Sequence, residues 1–72
     1  MALTREMYIF NLKVGALDLA RVGELKLAVE AMTAGLMRRE DTRTHHADTT
    51  KGMLLAMDGK QKDVIDWIEG IR

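Results

Sequence analysis

The chain contains no cysteine, no proline and no serine. Without cysteine there is no disulfide framework, no thiolate zinc site and no thiol nucleophile. Without serine, a hydroxyl nucleophile would have to be a threonine held against an activating base. Without proline nothing forces a helix to stop, so breaks must come from polar clusters and from the six glycines at 15, 23, 35, 52, 59 and 70. Those glycines are too widely spread for either common phosphate-binding fingerprint. An excess of charge of one sign is also missing: eleven basic residues face eleven acidic ones, and neither half of the chain departs far from balance. A basic patch or stripe is the usual footprint of nucleic-acid binding, so a neutral chain gives that function little support. Long hydrophobic runs are absent too, the longest being four and five residues, Met7-Tyr8-Ile9-Phe10 and Met53-Leu54-Leu55-Ala56-Met57. A membrane span needs roughly twenty apolar residues and a secretory signal an apolar region of roughly seven to fifteen. A cytoplasmic protein that engages no membrane is the expectation.

What the chain does have is apolar surface. Hydrophobic residues make up 47% of only 72 positions. A domain this small buries a modest share of its unfolded surface, and small scaffolds are commonly completed by association. One domain spanning 1–72, with a polar connection at about 41–50, is therefore expected to form a homo-oligomer.

The segment "LTREMYIFNLKVGALDLARVGE" has two readings. As a helix it can be capped by Thr4 and places Met7, Phe10, Val14 and Leu17 on one face. As a strand over 7–14, Tyr8, Phe10, Leu12 and Val14 alternate against Ile9, Asn11 and Lys13, with a pairing strand supplied by a second copy. The next segment, "ELKLAVEAMTAGLMRRE", is a helix. Leu25, Ala28, Val29, Met32, Gly35 and Leu36 recur at steps of three and four, Glu24 stands near its start, and Arg38 and Arg39 near its end. Gly35 on that face admits close approach by another helix. Between the two segments, Gly23 fits the left-handed position that closes a helix. The last part, "TTKGMLLAMDGKQKDVIDWIEGIR", reads as a short helix, a break at Asp58-Gly59, and a final helix with the stripe Val64, Ile65, Trp67, Ile68 and Ile71.

Both histidines lie in "RREDTRTHHAD". Continued as a helix, this run would put Asp41, His45 and Asp48 on one face with spacing suited to a metal ion. Threonines and histidines in series are poor helix formers, however, and adjacent histidines point to different sides, so a solvated connection is the better reading. Acid pairs such as Glu40-Asp41 and Asp63 with Asp66 look like solvated faces. The glycine-centred pair of helices in 49–71 has the outline of a helix-turn-helix, but Asp58 and Lys60 flank the glycine where apolar packing is usual. Asp63, Asp66 and Glu69 would also repel phosphate.

Two resemblances accompany these patterns. "FNLKV" followed by "LMRRED" resembles the paired helices of the small phycobilisome-degradation adaptors over about half the chain, with a shortened turn. It implies a dimerising proteolysis adaptor and leaves 49–72 unmatched. "RREDTRTHH" is similar to a run near the end of fumarate-reductase-type flavoproteins, with Thr44 where that family has glycine. It implies flavin chemistry, though the chain has no room for a flavin domain.

The expectation is an all-α protein: a helical hairpin plus C-terminal short helices, completed by dimerisation, with 7–14 as the alternative strand. Its expected function is that of a non-catalytic protein–protein interaction module, such as an adaptor, inhibitor or accessory subunit. Phe10, Leu25, Val29, Met32, Leu36 and Trp67 are the candidate interface residues. No catalytic, cofactor-binding or metal-binding residue is assigned. The alternatives are a small nucleic-acid-binding regulator and a metal- or flavin-linked accessory fragment using 39–48.

Overall fold

In the computed structural model, which describes residues 4–43 and 49–71, the chain is all-α. The helices are α1 (Arg5–Arg21), α2 (Leu25–Arg38), α3 (Glu40–Arg43), α4 (Thr49–Met57) and α5 (Gln61–Glu69). Residues 7–14 thus lie within α1. Its first turn is closed by Thr4, whose hydroxyl oxygen accepts from the Met7 amide at 3.1 Å.

Two glycines set the topology. Gly23 has φ +87° and Gly59 has φ +70°, the left-handed region in which a Cβ is strained. Each ends a helix in the same way. The Gly23 amide donates to Ala20 O and the Glu24 amide to Leu19 O; the Gly59 amide donates to Ala56 O and the Lys60 amide to Leu55 O. This nested pair of bonds satisfies carbonyls that the helix end would otherwise leave open, and it reverses the chain within a few residues. Two helical hairpins result, α1–α2 and α4–α5. α5 lies against both α1 and α2, while α4 lies against α2.

A single core joins the hairpins. α2 buries Leu25, Ala28, Val29, Met32, Gly35 and Leu36, the whole stripe read from its sequence. α1 contributes Ile9, Ala16 and Ala20, α4 contributes Ala56, and the C-terminal segment contributes Val64, Ile68 and Ile71. Small residues let the elements close on one another. A Cβ on Gly35 would stand 2.8 Å from Leu12 Cδ1, and one on Gly52 would stand 2.7 Å from Trp67 Cε2. Both are well inside van der Waals contact. The close approach expected at Gly35 therefore takes place within the chain, with α1 as the neighbour.

Side chains tie the hairpins at their polar ends. Gln61 Nε2 donates to Ala20 O at 2.8 Å and Arg21 O at 3.0 Å, so the first residue of α5 caps the last turn of α1. Lys13 Nζ donates to Glu69 O at 3.0 Å, placing a cation at the negative end of the α5 dipole.

Candidate interaction surface

The stretch Arg38–Asp48 divides into a part that holds the fold and a part outside the described residues. Thr42 is fully buried, and its hydroxyl donates to Leu36 O at 2.7 Å and lies 3.1 Å from Arg39 O. It closes the end of α2 from inside. Arg39 Nε meets Asp41 Oδ1 at 2.7 Å, and its guanidinium lies 5.4 Å from the Tyr8 ring centroid, while Tyr8 Oη donates to Gly35 O at 2.7 Å. Asp41, the first member of the potential metal set, is thus engaged with Arg39. His45, His46 and Asp48 lie outside the described residues. Among the described residues no group of three or more His, Cys, Asp or Glu side chains is placed to hold a metal ion.

The candidate interface residues separate into two kinds. Leu25, Val29, Met32 and Leu36 are packed inside the chain's own core, each less than 10% exposed. The α2 surface expected at a seam between copies is covered by α1, α4 and α5. Trp67 is half-buried, with its indole over Gly52. Phe10 is different: it stands 55% exposed on the outside of α1.

Phe10 is not isolated. Met7 and Val14 are 54% and 47% exposed, and with half-buried Leu17 they occupy positions 7, 10, 14 and 17, a continuous stripe at helical spacing. α1 therefore has two apolar faces. Ile9, Ala16 and Ala20 look into the core, and the Met7–Leu17 stripe lies about a third of a turn around the helix at 100° per residue. Single exposed apolar side chains need no explanation, whereas a contiguous apolar row is a candidate contact surface. Beside the row, Arg5, Glu6, Ile9, Phe10, Lys13 and Ile71 line a cleft of about 330 Å³.

A second apolar groove, about 540 Å³, runs between α2 and α4, with Val29, Ala34, Met53 and Leu54 in its walls. Thr33 Oγ1 beside it is buried without a hydrogen-bond partner among the described residues. One edge of this groove is Thr49 and Thr50, which follow directly on residues 44–48.

The α4–α5 hairpin has helix-turn-helix order, and Asp63, Asp66 and Glu69 are all exposed on its second helix. Lys62, four residues before Asp66 and seven before Glu69, is exposed on the same side of that helix. Among the described residues no helix is long and apolar enough to cross a membrane.

Compared with protein-family models, with curated proteins and with solved structures, the chain matches none. Neither resemblance drawn from short sequence runs gains support from these comparisons.

Proposed function

We propose that the protein is a non-catalytic protein-binding module, an adaptor, inhibitor or accessory subunit whose docking surface is the outer face of α1. One observation carries this reading: Met7, Phe10 and Val14 stand 47–55% exposed in a row, although the same chain buries Ile9, Val29, Met32, Val64 and Ile68 almost completely. None of the three belongs to the buried core, and about half of each side chain is left in water. Large apolar side chains kept in water at a helix face favour association with another apolar surface. A cytoplasmic setting, in keeping with the cysteine-free sequence, belongs to the same proposal.

The test places a photoreactive phenylalanine analogue at position 10 and, in a separate chain, at the exposed Asp66, followed by irradiation in cells. The reading predicts a discrete adduct with a second polypeptide from position 10 and none from position 66. The purified partner should then bind the wild-type chain and lose affinity for Phe10→Glu. Equal, diffuse crosslinking from both positions would overturn the reading.

A further inference from the structure

The stripe on α1 has a register as well as a face. Its spacing of three, four and three residues is that of a heptad seam, with Met7 and Val14 at the first core position, Phe10 and Leu17 at the second, and Arg21 at the next first position. The flanking positions of that frame are Glu6 and Lys13 on one side and Asn11 and Asp18 on the other. A valine in the first core position followed by leucine in the second is the pattern that favours two parallel strands.

Charge separates the possible pairings. With two α1 helices parallel and in register, each flanking residue meets the opposite flank of the other helix five positions further on. Lys13 then faces Asp18 of the other copy, twice by symmetry, and Glu6 faces uncharged Asn11. The antiparallel pairing that keeps all four apolar positions in contact sets Met7 against Leu17 and Phe10 against Val14. It brings Lys13 against the same lysine of the other copy, and like charges disfavour it. The structure holds both partners of the favourable pair at the stripe. Lys13 uses one of its three donors on Glu69 O. Asp18, its side chain 73% exposed, makes a long 3.9 Å contact with Arg21 among the described residues. The parallel register also sets Arg21 beside its own counterpart at the final core position, but its side chain is 61% exposed and its long stem can carry the guanidinium out to water, away from that like charge.

We infer that the occupant of the α1 stripe is a second copy of this chain, paired through parallel, in-register α1 helices about a twofold axis. This rests on the reading of that face as a docking surface and names the partner. The interface is isologous: Met7, Phe10 and Val14 stack on their own counterparts, Leu17 adds only the part of its surface that its packing against the core leaves open, and Lys13–Asp18 pairs close the edges. It is about two heptads long, so association is concentration-dependent.

Because the chain has no cysteine, a single introduced one reports the geometry without background. Val14→Cys is compared with Leu27→Cys, whose native residues are equally exposed at 47% and 48%, alongside sedimentation equilibrium of the wild type and of Phe10→Glu. The inference predicts a wild-type mass that rises with concentration from 8.1 kDa toward twice that value, and a Phe10→Glu chain that stays at 8.1 kDa with unchanged circular dichroism. Val14→Cys should form a disulfide-linked dimer at least ten times faster than Leu27→Cys. A wild type that remains monomeric at millimolar concentration overturns the inference. It leaves the docking reading to the crosslinking from position 10, where the adduct would be a different protein. A dimer in which Val14→Cys links only to Phe10→Cys overturns the parallel register.

Discussion

Gly15 and Gly52 offer a paired test of how closely the two hairpins pack. Both lie inside helices, α1 and α4, and replacing glycine by alanine in a helix stabilises by about 0.5–1 kcal/mol through backbone entropy. Their surroundings are opposite. A Cβ on Gly15 meets nothing within 4 Å, whereas one on Gly52 lies 2.7 Å from Trp67 Cε2 and Cζ2 and 3.0 Å from Cδ2. Carbon atoms rest at about 3.5–4.0 Å, so the rigid indole must move by roughly 1 Å. Overpacking of this kind costs about 1–3 kcal/mol. Gly15→Ala should therefore gain about 0.5–1 kcal/mol, raising Tm by about 2–8 °C. Gly52→Ala should range from near neutral to a loss of about 2.5 kcal/mol once the same helix gain is subtracted. Because the propensity gain is common to both, the gap between them measures the contact alone: about 1–3 kcal/mol, or at least about 4 °C. Thermal melts by circular dichroism give the gap. Trp67 is the sole tryptophan, so its emission maximum should shift in Gly52→Ala and stay fixed in Gly15→Ala. Equal stabilisation of both variants with an unmoved emission maximum would refute the packing described between α4 and α5.

Other substitutions probe separate parts of the fold. Gln61→Ala removes the two bonds to Ala20 O and Arg21 O and should cost about 1–2 kcal/mol in denaturant unfolding, the solvent-accessible carbonyl being partly rehydrated. Thr42→Val keeps the shape of a fully buried side chain while deleting a hydroxyl that donates at 2.7 Å to Leu36 O; a loss of about 1–3 kcal/mol is expected. Met32→Ala empties a side chain with no exposed surface and should cost about 2–5 kcal/mol. Because Met32 is covered within one copy, its loss should not depend on chain concentration, and a concentration-dependent loss would place Met32 at a seam between chains.

The parts of this fold that were legible in the sequence are those where large side chains carry the signal. On α2, Leu25, Val29, Met32 and Leu36 are bulky and correctly spaced, and all are buried. On α5, Val64 and Ile68 form the buried stripe. The Gly23 and Gly59 reversals were legible because a left-handed residue after an apolar run is a local requirement. The orientation of α1 was not. Its inward face rests on Ile9, Ala16 and Ala20, and alanines add little hydrophobic signal while allowing helices to approach. The larger Met7, Phe10 and Val14 dominate the pattern, yet they face outward. Thr42 was hidden for a related reason. A threonine in a polar run reads as wet, and only the path of the chain after α2 turns its hydroxyl onto Leu36 O. Gly52 read as punctuation because nothing local announces that an indole fifteen residues later needs its space.

The central claim is that one copy closes its own core and holds the α1 stripe in reserve. It is tested most directly by thermal unfolding of the triple variant Met7→Gln, Phe10→Gln, Val14→Gln at low micromolar concentration. Glutamine is a good helix former and suits an exposed position. The account predicts a cooperative transition whose midpoint lies within about 4 °C of the wild type, equivalent to a change of no more than about 1 kcal/mol. Loss of the cooperative transition, or a fall of more than about 12 °C, would show that the stripe is part of the core.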